Sequence, residues 1–344
     1  MTHSTNTSES TSTKQLWHDA VAKYQDPDLH RSLWQIANSF VPFFLLWGMM
    51  YLSLEFSYWI TLALALPAAG FLVRVFIIFH DCGHGSFFKS RKANDRLGAV
   101  CGILTLTPYQ QWRHDHAVHH ATAGDLDRRG VGDIFTLTVS EYLALSSWGR
   151  FKYWVYRHPL VLFGIGSMYI FLISQRFCSP HSRKRERYSV YGTNFVLLMI
   201  IIVMSLTIGL KSFLMIQLPI SFLASTAGVW LFYVQHQFEE TYWEHNGEWD
   251  YAAAALQGSS YYKLPKILQW FSGNIGLHHI HHLSARIPNY NLQKCHDENP
   301  LFQKVKTITL WASVKASSLK LWDEERQRLI GFRQLKAIRV REDL

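Results

Sequence analysis

Tyr58–Phe79 is an apolar run long enough to cross a bilayer unaided, and no other feature of the chain limits its fold so strongly. A transmembrane helix needs roughly 20 apolar residues, with a lower limit near ~17. Phe40–Leu54 precedes this run across a minimal linker containing Glu55, and reaches the same length once Ser39 and a few flanking residues join it. Together they predict a helical hairpin. Val190–Leu210 and Ser212–Val234, with Lys211 at the turn, predict a second. Neither block alternates like a barrel strand.

Composition agrees with a membrane protein that also has a large part outside the lipid. The chain is 49% hydrophobic and 15% aromatic but only 17% charged, against about 25% charged in a soluble domain. Trp, Tyr and Phe at this level suit aromatic belts at the lipid–water boundary. The mean hydropathy of −0.01 is nevertheless low for a chain wholly embedded in lipid. A net charge of +9 suits anionic headgroups or an acidic partner protein. No basic helix or RNA-binding motif accompanies it, so nucleic acid is not an expected partner.

Cys82, Cys101, Cys178 and Cys295 lie far apart with no CxxC pair, as reduced thiols do. The opening MTHSTNTSESTSTKQ lacks the basic region and apolar core of a signal peptide. Residues 1–30 are expected to form a disordered cytosolic tail, 31–298 the membrane domain, and 299–344 a cytosolic, helical C-terminal tail.

Two further blocks test the topology. Leu97–Tyr109 is too short to cross. Pro159–Ser174 is borderline, with Arg150, Lys152 and Arg157 before it and Arg176, Arg183, Lys184, Arg185 and Arg187 after it. Positive charge marks the cytoplasmic side, so a segment with cations on both flanks is expected to enter and leave on one face. Lys14, Lys23 and Arg31 before the first hairpin, and Lys89, Arg91, Lys92 and Arg96 after it, place both termini and the long loops in the cytoplasm.

The informative histidines fall at the ends of these hairpins. His80 and His84 lie in HDCGH, directly after the second span. His116, His119 and His120 lie in WRHDHAVHHATAGD, and His278, His281 and His282 in LHHIHHL. The last two clusters share the pattern HxxHH. On a helix, positions i, i+3 and i+4 are neighbours, so each HxxHH is expected to aim three nitrogens in one direction. A single histidine is more often a hydrogen-bonded loop residue than a ligand. Two HxxHH boxes and an HxxxH on one face of a membrane protein instead point to metal, with Zn, Cu, Fe or Ni all suited to neutral imidazole. Eight converging ligands exceed what one tetrahedral site uses, so two metal ions are implied. An even number of confident spans between His120 and His278 lets all three boxes reach one side.

HDCGH, HDHAVHH and HHIHH together resemble the three histidine boxes of the integral-membrane fatty acid desaturases. HDCGHGSFFKS, HHATAGDLDRRGVGDIFTLTVSEY and YVQHQFEETYW are similar to the bacterial acyl-lipid branch. The resemblance runs from about Ile77 to Asn291. It implies an all-α membrane fold of two transmembrane hairpins, with a cytosolic helical cap holding a histidine-ligated di-iron site. It implies iron ligation by His80, His84, His116, His119, His120, His278, His281 and His282, with His236 in YVQHQ as a ninth ligand. Some relatives place an Asn one helical turn before that last histidine to hold a metal-bound water; here the residue is Phe232.

The implied activity is O2-dependent insertion of a cis double bond into an acyl chain, expected to belong to a lipid of the bacterial inner membrane. Removal of hydrogen from an unactivated methylene is beyond any side-chain acid or base, so a cofactor must carry it. No haem-binding HPGG, GxGxxG or flavin motif is present. Electrons are therefore expected from a separate donor such as ferredoxin. Apolar residues of the spans and of Leu97–Tyr109 are expected to line an acyl channel, with Trp and Tyr of PYQQW and EETYWEH at its mouth.

Asp81, Asp115 and Asp125 are candidates to orient ligating imidazoles by accepting the second ring N–H; a helix cap or turn is the competing role for each. His114 and His279 lie inside boxes but outside the motif, as supporting donors or solvated neighbours. Glu239, Glu240 and Glu244 lack the Glu-x-x-His arrangement of carboxylate di-iron bundles and read as a polar face. The competing functions are a related membrane hydroxylase or ketolase and, more remotely, a histidine-rich metal transporter.

Overall fold

The computed structural model describes residues 17–342. Its frame is four long helices, Leu29–Ser53, Tyr58–His84, Lys184–Thr207 and Leu210–His236, each long and apolar enough to cross a bilayer. The first packs along the second, the third along the fourth, and the second against the fourth. Leu45, Leu66, Phe195 and Leu206 are exposed on their outer faces. Apolar surface so extensive is unfavourable in water and natural against lipid.

The second and fourth helices run past their apolar cores, to His84 and His236. Both ends carry histidines on rigid backbone. Gly85 stops the second helix in the left-handed conformation, at φ 71°. Its N–H reaches the Cys82 carbonyl at 3.0 Å and the Ser86 N–H reaches that of Asp81 at 3.0 Å. A residue with a Cβ pays for that backbone shape, and glycine does not.

Leu97–Tyr109 belongs to a helical hairpin. Arg91–Leu104 starts at Ser90, whose side chain caps the Ala93 N–H; after a turn at Leu106, φ 56°, the chain returns as Tyr109–Thr122. The Tyr109 hydroxyl donates to the Cys82 carbonyl at 2.6 Å, locking the hairpin onto the second span. The turn is tight: a Cβ at Gly102 would lie 2.4 Å from the Thr107 carbonyl oxygen. Gly102→Ala is therefore expected to cost about 1–3 kcal/mol, the usual range for overpacking. Thermal unfolding of the purified protein in detergent measures it, and an unchanged midpoint would refute the close packing.

The Pro159–Ser174 block forms part of a bent pair, Ser147–Tyr156 and Leu160–Arg176, angled at 59°. Thr226 donates to the Phe163 carbonyl at 2.8 Å and Ser225 contacts Ser167 at 3.2 Å, fixing the second arm to the fourth span.

Both tails differ from expectation. Residues 1–16 lie outside the described residues, but residues 17–22 are helical rather than disordered. Val21 and Tyr24 are buried among Leu277, Ile280, Leu283 and Leu292, and the Tyr24 hydroxyl donates to Glu298 at 2.6 Å. A short amphipathic stretch thus backs the third histidine box.

The segment after 299 is not simply helical. Thr307–Thr309 pairs in parallel with Tyr261–Lys263, and Leu321–Asp323 lies between Leu137–Thr138 and Arg328–Ile330. The fold is thus mostly helical, with two small sheets stitching the C-terminal segment to the histidine-bearing end. Such short strands carry too little alternation to be read from sequence.

Candidate metal centre

Nine histidines converge in two adjacent groups. His80, His84, His116, His120 and His281 form one, and His119, His236, His278 and His282 the other; within each group a nitrogen from every ring lies within 4.8 Å of the rest. The rings of His120 and His282 stack at 4.1 Å where the groups meet. These are the box histidines together with His236 from the fourth span.

The boxes do not each aim three nitrogens one way. His116 and His120 serve one group while His119 turns to the other; His278 and His282 share a group while His281 crosses over. The helix explains the split. Successive residues are offset by ~100° around the axis, so the last two histidines of HxxHH diverge by that angle. Each HxxHH box therefore spans both groups, whereas His80 and His84 of the first box stay together in the five-histidine group. The third box is a six-residue helix, His278–Leu283, with every residue buried. A helix so short is unstable alone and relies on its surroundings.

Tautomers follow from the partners of the outward nitrogens. His236 Nδ1 faces the Gly258 carbonyl at 3.2 Å, so it carries the proton and donates it. His119 Nδ1 donates to Asp133 at 2.5 Å. Both Nε2 atoms are then bare lone pairs, yet they face each other at 3.2 Å, and His236 Nε2 also meets His278 Nε2 at 3.0 Å. Lone pairs converging without a proton repel unless a cation lies among them. In the other group His281 and His120 approach at 3.0 Å, and His120 and His116 at 3.2 Å, both through Nε2. His84 Nε2 and His282 Nε2 are buried with no hydrogen-bond partner. Burial, reinforced by neighbouring imidazoles, holds His116, His120, His278, His281 and His282 well below the usual histidine range. They are neutral at pH 7 and keep their lone pairs. The donor set therefore fits a pair of divalent transition-metal ions.

The supporting residues only partly match the sequence reading. Asp81 accepts from His80 Nδ1 at 3.3 Å, and its second oxygen accepts from the Asn289 backbone and side chain at 2.7 and 2.8 Å. Asp125 instead builds a turn, accepting from the Asp127 and Arg128 N–H groups at 2.9 and 3.2 Å and from the Arg128 side chain at 2.6 Å. No hydrogen bond joins Asp115 to an imidazole among the described residues; burial lifts its carboxyl above the usual range. His114 points to the exposed side of its helix. His279 is buried away from both groups and donates Nε2–H to the Phe302 carbonyl at 3.0 Å, anchoring the third box to the C-terminal segment.

Asp133 is the acceptor that sequence reasoning missed. Its signal was the GVG before it: Gly130 and Gly132 have φ of 108° and 70°. A Cβ at Gly132 would sit 3.1 Å from both the Asp115 carbonyl oxygen and the His119 Cβ. The loop can thus lie flat on the box-two helix and deliver the carboxylate.

The aromatic residues expected at a channel mouth do other work. Trp112 of PYQQW stacks on His116 at 4.3 Å, and HDCGH needs its glycine because a Cβ at Gly83 would meet that indole at 2.8 Å. Trp243 stacks on Trp322 at 6.1 Å. Phe232 lies against His119 and His236 at 5.1 and 5.3 Å, giving the four-histidine group an apolar wall. Beside it is a cavity of about 20 Å³ lined by His119, Asp133, Phe232, His236 and Gln237, room for about one water.

Comparison with known proteins agrees with this geometry. A family model described as fatty acid desaturase matches residues 56–308, a stretch containing all of these histidines. A protein of Bacillus subtilis (strain 168) named fatty acid desaturase is 49% identical over 320 residues, 93% of this chain and 91% of the relative. An sn-1 oleoyl-lipid 12-desaturase of Anabaena variabilis is 27% identical over 256 residues, 72% of this chain and 71% of its own. An sn-1 acyl-lipid omega-3 desaturase (ferredoxin) of Nostoc sp. (strain 36) is 28% identical over 238 residues, 64% of this chain and 62% of its own. These similarities favour desaturation over the hydroxylase, ketolase and transporter readings.

Proposed function

The chain belongs to the fatty acid desaturase family, and from that premise we propose that it inserts a cis double bond into an acyl chain of a membrane lipid. The reading assigns two irons to the two histidine groups: His80, His84, His116, His120 and His281 hold one, and His119, His236, His278 and His282 the other. The observation that carries it is the pair of Nε2 atoms of His119 and His236 facing each other at 3.2 Å, each ring having its Nδ1–H taken by an acceptor behind it. When bound, the irons supply the O2-dependent redox chemistry that no side chain provides.

The chain's own residues do the rest. Asp133, Asp81 and the Gly258 carbonyl take the outward N–H groups of His119, His80 and His236, fixing each ring with its lone pair inward. Such partners also raise ligand basicity. Trp112 and Phe232 wall the site with apolar surface, which keeps water from a reaction that must act on a methylene.

A lipid-borne acyl substrate is supported by the relatives named as acyl-lipid enzymes, and a ferredoxin-like donor by the Nostoc relative's name. The cations flanking the spans favour a cytoplasmic site with cytoplasmic termini in a bacterial inner membrane. The domain reading becomes a membrane and cap unit from about residue 17 to 338, because both tails pack into it.

The test is reconstitution of purified, iron-loaded protein in phospholipid vesicles with ferredoxin, a reductant and O2, followed by mass analysis of the released fatty acids. Loss of two hydrogens from the acyl chain of intact phospholipid is expected. Gain of oxygen, or turnover only of a soluble thioester, would refute the respective part of the proposal.

A further inference from the structure

Arg157 is fully buried and has no carboxylate partner among the described residues. A buried cation is costly unless its N–H groups are satisfied; here neutral acceptors from three separate segments take both Nη groups, while the Nε–H has no partner among the described residues. Nη1 donates to the Phe135 carbonyl at 3.0 Å and to Thr136 Oγ1 at 2.7 Å. Nη2 donates to Gln237 Oε1 at 2.9 Å, the Leu319 carbonyl at 3.1 Å and the Tyr233 hydroxyl at 3.4 Å. Thr136 Oγ1 also lies 3.3 Å from Gln237 Oε1, which brings two of these segments side by side.

Each segment leads to the four-histidine group. Phe135 follows Asp133, which holds His119, by two residues, and Gln237 directly follows His236. Leu319 belongs to the C-terminal segment, past the end of the family match at residue 308. Its carbonyl also accepts from the Tyr233 hydroxyl at 2.7 Å, one helical turn before His236. The same segment is pinned by Lys320, whose ammonium donates to the Arg157 carbonyl at 2.6 Å. None of these bonds reaches the five-histidine group.

We propose that Arg157 is a positioning residue for the four-histidine metal site alone, with the C-terminal segment around Leu319 completing its hold. One guanidinium fork sets the Asp133 loop and the end of the fourth span in fixed relation, and so sets His119 against His236. The fork is what matters: a lysine keeps the charge but presents no planar pair of donor groups to two segments at once.

The inference rests on the two-metal reading, and its test separates the two. Full-length wild type and the variants Arg157→Gln, Arg157→Lys and Gln237→Leu are loaded with ferrous iron in detergent. Iron per folded chain, Mössbauer spectra and thermal midpoints are then measured. In each variant one iron equivalent is expected to bind ~10- to 100-fold more weakly, the effect of losing an outer support, with the other equivalent and its spectrum unchanged. Loss of both equivalents in step with a lowered midpoint would show a merely structural role and overturn the proposal. Retention of both would overturn it too. Should Arg157→Gln not fold, Gln237→Leu decides, since it leaves the other partners of the cation in place. Wild type that binds fewer than two irons would refute the underlying reading instead.

Discussion

His119→Ala is expected to abolish desaturation while the protein still folds and inserts. His119 supplies a lone pair to the four-histidine group, meets His236 Nε2 at 3.2 Å and is held from behind by Asp133. Removing the ring deletes a proposed ligand outright. The fall in product should therefore exceed the ~10- to 100-fold loss typical of an outer support. Folding should survive, because the hairpin bearing His119 is fixed elsewhere, by the bond from Tyr109 to the Cys82 carbonyl. The buried repulsion between the His119 and His236 lone pairs also disappears, so the metal-free thermal midpoint should hold or rise. Product profiling and thermal unfolding of one preparation check both statements. Full activity would remove His119 from the proposed ligand set.

Asp133→Asn is the second large effect. Asparagine keeps the size and can still accept the His119 Nδ1 proton, but it lacks the charge that favours this tautomer and strengthens the opposite nitrogen as a donor. Iron affinity or activity should fall ~10- to 100-fold. Asp125→Asn is the matched contrast. Among the described residues Asp125 is as buried as any carboxylate, yet its side-chain hydrogen bonds there go only to the turn at Asp127 and Arg128. It should change loop stability and leave iron per folded chain as it is. Equal effects at the two positions would mean that the short Asp133 contact has no special role.

The difference between those two aspartates shows where the sequence was informative. Histidine boxes are legible because metal chemistry demands one residue type at helical spacing. Four long apolar blocks are legible because lipid thickness demands a minimum length. Supports are another matter. A carboxylate that holds an imidazole and one that holds a turn look alike in sequence, and only the approach of the Gly130–Gly132 loop to His119 separates them.

His279 shows the same limit. It stands inside LHHIHHL and faces the Phe302 carbonyl, because helical rotation turns it away from both groups. Arg157 read as a flanking topogenic charge, whereas its buried contacts to Thr136, Gln237 and Leu319 depend on segments far apart in the chain. The C-terminal strands were hidden for a related reason. They are three residues long, and what holds them is pairing with distant partners rather than any local preference.

The division of nine imidazoles into a set of five and a set of four is the centre of this account. It is tested most directly by Mössbauer spectroscopy of the wild-type protein loaded anaerobically with ferrous iron. Two nitrogen-rich ferrous sites of equal weight and distinct parameters, with two irons per folded chain, are predicted. A single iron shared by both sets of rings, or iron that binds without histidine nitrogen, would contradict it.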